Sequence, residues 1–206
     1  DPVTMDGSRT NNERIFLLNN CEKIIFNSEW SKKQFLKKLP QFYHKSKKLI
    51  VIHQSINKAK VKIGNKSKII TFVGKLNSAK GFDLFAKAIT KILDKYPEWK
   101  AIVAGDEPRE NIKVYHKNLT NLGFQPHNKI LKLFEKTSIA VACSRWQEPF
   151  GRTSLEASSR GCAVIISNRG GLPETITDGI ILRKLNSNEI YLAIKKLIIN
   201  KKYLKD

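Results

Sequence analysis

Six short apolar runs, at residues 24–26, 49–52, 69–73, 101–104, 139–142 and 163–166, recur along the chain with longer amphipathic stretches between them. Runs of that length without polar alternation suit strands buried on both faces, the condition of a parallel sheet. The stretches at 82–96, 127–136, 153–160 and 188–200 carry helical patterns instead. This alternation predicts an α/β fold, a Rossmann-like open parallel sheet with helices on both faces. Ligands of such sheets bind where loops leave the carboxyl ends of the strands. The segments after Val73, Ala104, Ala142 and Ile166 are therefore where function is to be sought.

The third of these segments is the most informative. It reads Glu148-Pro-Phe-Gly-Arg-Thr-Ser-Leu-Glu156, two carboxylates eight residues apart with a turn and a helix start between them. Pro149 and Gly151 break the chain, which leaves Glu148 in a loop and puts Glu156 inside the helix. The unpaired N–H groups of the first helical turn, near Gly151 to Ser154, offer a site to an anion such as phosphate. Carboxylates on either side of that site accept hydrogen bonds from hydroxyls, so the pattern suits a phosphate with sugar hydroxyls at both ends, that is, a nucleotide sugar. A glutamate near a helix start is also what the helix dipole alone favours. The companion loops tip the balance: Gly74-Lys75-Leu-Asn-Ser-Ala-Lys80-Gly81, Gly105-Asp106-Glu107-Pro108 and Asn168-Arg-Gly-Gly-Leu-Pro-Glu174. Their glycines let a ligand approach the backbone, and Lys75 and Lys80 set positive charge opposite the helix-start amides. No Gly-x-Gly-x-x-Gly fingerprint and no Walker motif occurs, which weakens dinucleotide and ATPase readings. A glycoside hydrolase also uses two carboxylates, but it would leave these lysines and amides unexplained.

The net charge is +20, and much of it is local: from Ser31 to Lys68 there are twelve lysines and no Asp or Glu. Such a band suits an anionic membrane surface or nucleic acid, or is simply a solvated face. Its charge is Lys rather than Arg, and Trp30, Phe35, Phe42 and Tyr43 sit at helix-like spacing that reads as core rather than as base-stacking platforms, which argues against nucleic acid. No apolar run approaches the roughly 20 residues that span a bilayer. Cys21, Cys143 and Cys162 lack metal-ligand spacing and read as free thiols of a reducing compartment, so a cytoplasmic protein is expected, peripheral at the inner face of the membrane if the lysine band faces anionic lipid. The sequons at Asn65 and Asn118 are read as chance.

From about Lys68 to Asp178 the chain resembles the nucleotide-binding C-terminal domain of retaining glycosyltransferases of the GT-B fold, family GT4 (glycosyl transferases group 1). The resemblance rests on Phe72-Val-Gly-Lys-Leu with Lys80-Gly81, Ile102-Val-Ala-Gly-Asp, Leu122-Gly-Phe, Glu148-Pro-Phe-Gly with Leu155-Glu-Ala, and Gly170-Gly-Leu-Pro-Glu174. It implies that Glu148 holds donor-sugar hydroxyls, aided by N–H groups at Phe150 and Gly151, and that Glu156 binds the ribose. Lys75 and Lys80 would neutralise the departing diphosphate with amides at Arg152 and Thr153. Gly74 and Asp106 would join the donor site, and Gly123, Phe124 and Gln125 would line the base pocket. No cofactor and no metal would be needed, because these cations supply the charge a metal supplies elsewhere. The implied partners are a nucleotide sugar and a carbohydrate or lipid-linked acceptor. Two departures stand out: Lys75 where the family usually has Arg, and Glu107 where it usually has Gly.

The resemblance also divides the chain. Residues 1–56 look like the tail of the family's N-terminal, acceptor-side domain with the linker entry, and residues 57–206 like the nucleotide-sugar domain without its closing helices. A chain beginning Asp1-Pro2-Val3 and ending at Asp206 is thus expected to be a donor-binding fragment with little or no turnover of its own.

Overall fold

The computed structural model describes residues 10–57, 59–62, 64 and 66–200. Lys58 of the basic band, the Asn65 sequon and both chain ends lie outside them.

The described residues form two parallel sheets. The larger has six strands in the order β5-β4-β3-β6-β7-β8, namely β3 (Ser67–Val73), β4 (Lys100–Ala104), β5 (Leu119–Asn121), β6 (Thr137–Ala142), β7 (Ala163–Ser167) and β8 (Ile180–Leu182). Neighbours on one strand face opposite layers, as a doubly covered sheet requires. Ile70, Phe72, Ile139, Val141 and Ile165 pack with α3 (Phe82–Lys95) and α6 (Ser187–Ile199). Ala140, Val164 and Ile166 pack on the other side with α4 (His127–Lys136) and α5 (Arg152–Ser159). The expected Rossmann-like sheet with helices on both faces is thus the observed one. β3 and β6 lie side by side at the centre, and the chain winds outward from β3 through β4 and β5, then from β6 through β7 and β8. The loops leaving β3 and β6 therefore diverge and open a crevice between them.

The first two apolar runs do not join that sheet. They pair in parallel with each other, as β1 (Ile24–Phe26) and β2 (Leu49–Val51), joined through α2 (Glu29–Leu36). With α1 (Asn11–Asn20) they enclose a separate apolar cluster of Leu18, Phe26, Phe35, Leu36, Leu39 and Leu49. Helix α1 starts with a capping box between Thr10 and Glu13, and Arg14 reaches from it to the carbonyls of Gln34, Phe35 and Lys37 at the end of α2. The core reading holds for Phe35 and fails for Phe42, which is 68% exposed and leans on Tyr43 in a short 3-10 segment.

Three lysines of the basic band are held by particular partners. Lys48 donates to the Leu18 carbonyl, Lys68 pairs with Glu98 at 3.6 Å, and Lys66 turns inward to the carbonyls of Phe134 and Arg160. Burial pushes the Lys66 amine below its ordinary range. Cys143 and Cys162 are buried free thiols that desolvation pushes up to about 12 and about 11, so neither is a ready nucleophile. No helix among the described residues is long and apolar enough to cross a membrane.

Candidate functional site

The crevice between the ends of β3 and β6 holds a cavity of about 250 Å³, lined by Gly74, Lys80, Glu148, Gly151, Arg152, Thr153 and Ser154 among others. Six of the residues singled out in the sequence thus meet in one place. Helix α5 enters from Gly151, whose φ of +107° suits glycine, and no side chain caps its first turn. The amides of that turn are thus unclaimed by any capping side chain. Across from them Lys80 Nζ lies 2.5 Å from Glu148 Oε1, so the lysine and the loop glutamate form one charge-assisted pair at the pocket wall. The next strand's loop fixes the Glu148 backbone: Gly171 N–H donates to the Glu148 carbonyl at 2.7 Å, and Gly170 N–H to the Gln147 side chain at 2.6 Å.

Glu156 lies a turn further along α5 and is only 7% exposed. His127 Nε2 approaches its Oε1 at 3.0 Å and the Arg152 guanidinium at 3.5 Å. Sequence reasoning missed both side chains; Arg152 entered only through its amide, and nothing in the sequence marks His127 beyond its place at the start of α4. Other residues stand outside the cavity lining. Lys75 and Asp106 are exposed. Phe124 is 74% exposed, and Gln125 bonds back to the Leu122 carbonyl at 2.6 Å. The Phe150 ring is buried and stacks on His53, 5.7 Å between centroids, so its side chain faces away toward a second cavity of about 570 Å³ between the 53–61 segment and α5.

The loop from Gly74 to Gly81 is held from two sides. Arg145 forks onto Asp83 and also donates to the Ser78 carbonyl, which holds the Asp83 carboxyl below its ordinary range. Glu107, 9% exposed, accepts from Arg109 and from Asn77. Arg109 first, then Asn77, hold Glu107 down to about 2 from an ordinary 4.5. A carboxylate with a depressed pKa contributes stability that is complete above its unfolded value and is lost only as pH falls toward the folded one. This contact therefore persists to strongly acid pH. The glycines of these loops were expected to admit ligand, but Gly105 admits the chain itself: a Cβ there would overlap the Gly74 carbonyl oxygen.

The small N-terminal unit docks beside the site. Ser28 and Ser31 hydroxyls donate to the Pro149 carbonyl, and Glu174 accepts from the Glu29 and Trp30 N–H groups at 2.7 and 2.9 Å. Glu174 thereby caps the start of α2. Among the described residues, no three His, Cys, Asp or Glu side chains are grouped as metal ligands.

Comparison with known proteins agrees with this geometry. The family model for glycosyl transferases group 1 matches residues 53–206. Spore coat protein SA of Bacillus subtilis is 32% identical over 125 residues, 54% of this chain and 33% of that protein. An uncharacterized glycosyltransferase of Methanocaldococcus jannaschii is 30% identical over 141 residues, 64% of this chain and 36% of the other. The chain thus spans about a third of the length of these relatives. Among solved structures, Anabaena HepE in complex with UDP-glucose superposes with a TM-score of 0.76 at 19% identity, over 100% of this chain and 62% of that one. The chain belongs to the glycosyl transferases group 1 family.

Proposed function

We propose that the chain binds the nucleotide diphosphate sugar of a retaining, metal-independent GT4 glycosyltransferase, as the C-terminal half of a GT-B fold. Residues 1–56 would then be the tail of the acceptor-side domain with the linker entry, and turnover would require the rest of that domain. The observation that carries the reading is the cavity in which Lys80, Glu148 and the uncapped amides of α5 converge. Glu156, one turn beyond the amides, accepts ribose hydroxyls. The diphosphate meets the α5 amides and Lys80. Glu148 accepts hydroxyls of the donor sugar once the diphosphate shares its lysine. As the bond from the sugar to the diphosphate breaks, negative charge grows on the terminal phosphate, where preorganised donors act most strongly. The UDP-glucose bound to Anabaena HepE supports a ligand of this class. The acceptor is a carbohydrate or a lipid-linked molecule.

Calorimetric titration with UDP, GDP and ADP, repeated on Glu156→Ala, tests this. One nucleotide should bind the parent chain at a single site. The variant should bind it roughly 10- to 100-fold more weakly, the loss of a hydrogen bond to a charged group. Unchanged affinity would remove Glu156 from the ribose.

A second contact rests on the stretch 37–47, where the exposed Lys37, Lys38, Lys45 and Lys47 flank the exposed Phe42 in sequence. Lysines at about 1 kcal/mol each and an apolar ring suit an anionic membrane surface. Co-sedimentation with phosphatidylserine vesicles should be measurable at low salt and lost at high salt. Indifference to those vesicles would dismiss this contact.

A further inference from the structure

We infer that Glu107 is a positioning residue for Lys80: through Asn77 it fixes the backbone from which the lysine reaches the diphosphate. The functional half of this inference rests on the donor-site reading above; the structural half does not. Asn77 is buried, and its side-chain Oδ1 accepts from the Lys80 N–H at 2.9 Å while its Nδ2 donates to Glu107 Oε2 at 3.0 Å. An ionised carboxylate can only accept, so it turns the Asn77 amide to present nitrogen to Glu107 and oxygen to Lys80. Arg109 holds the carboxylate from outside, with Nε at 2.6 Å from Oε1 and Nη2 at 2.9 Å from Oε2. The sequence Arg109, Glu107, Asn77, Lys80 is thus a run of hydrogen bonds from the loop after β4 to the pocket, ending where Lys80 Nζ meets Glu148.

The neighbouring residue supplies an internal control. Ser78 is held separately, by Glu110, which accepts from its N–H at 2.8 Å and from its hydroxyl at 3.1 Å. Loss of Glu107 should loosen Lys80 and spare Ser78.

The test uses the 206-residue chain with Glu107→Ala, Asn77→Ala and the double variant, read in two ways. Amide hydrogen exchange followed by NMR should show Lys80 N–H exchanging at least about tenfold faster in each variant, with Ser78 N–H changed less than about twofold. Titration should show UDP weakened roughly five- to twentyfold and UMP, which lacks the terminal phosphate, within about twofold. Because both residues act through one relay, the double variant should be no weaker than Asn77→Ala. Lys80 exchange unchanged in Glu107→Ala, or additive losses in the double variant, would overturn the relay. If the parent chain binds neither UDP nor UMP, the claim that the relay serves a UDP diphosphate is overturned, and the exchange rates alone decide whether it positions Lys80.

Discussion

Replacing Lys80 with Ala is expected to weaken binding of whichever of UDP, GDP and ADP the chain takes roughly 10- to 100-fold and to leave the matching monophosphate nearly unchanged, since a charge-assisted hydrogen bond to phosphate contributes about 1.5–3 kcal/mol. Two effects add. The variant loses the pocket-lining lysine that pairs with Glu148. It also leaves that glutamate carboxylate uncompensated beside the incoming phosphates, and like charges repel across a poorly solvated cavity. Lys80→Arg keeps the charge but carries a longer, planar head, so it should restore part of the affinity only. Calorimetry with that diphosphate and its monophosphate on the parent chain and both variants separates these contributions. Equal losses for the two nucleotides would mean that Lys80 does not read the terminal phosphate.

Gly105→Ala is expected to cost about 3 kcal/mol or more of stability, the sum of a left-handed backbone position and an overpacked contact. Gly105 has a φ of +139°, its N–H donates to the Gly123 carbonyl at 2.8 Å, and the Gly74 N–H beside it donates to the Ala104 carbonyl at 3.0 Å. The loops leaving β3, β4 and β5 are stitched together here with no room for a side chain. Gly74→Ala is the control: its φ of +146° is equally unfavourable, but nothing lies within 4 Å of the added methyl. Urea denaturation of both variants should therefore show the larger loss at Gly105. Equal losses would mean that the backbone angle, and not the contact between loops, sets the requirement for glycine.

The sheet was legible because continuous apolar runs and helical stretches alternate, and that order alone carries the four loops to one edge. The edge strands were not: Leu119–Asn121 is short and half polar, and Ile180–Leu182 is too brief to stand out. Helix α1 was overlooked although Thr10-Asn-Asn-Glu13 is a capping-box pattern. In the site, Lys80, Glu148 and the α5 amides came from local spacing, which a sequence displays. The contacts of Glu156 with His127, of Glu107 with Asn77 and of Glu174 with the start of α2 join distant segments, and no periodicity encodes such meetings. Composition likewise does not say that one lysine of the basic band, Lys66, points inward.

Amide chemical-shift mapping of the 206-residue chain during titration with UDP, GDP and ADP in turn tests the central claim most directly. With one of the three, saturable shifts should concentrate at Lys80, Gly151, Arg152 and Thr153 and extend to Glu156 and His127. No shift with any of them, or shifts confined to His53, Phe150 and the cavity behind α5, would contradict a nucleotide-sugar site between β3 and β6.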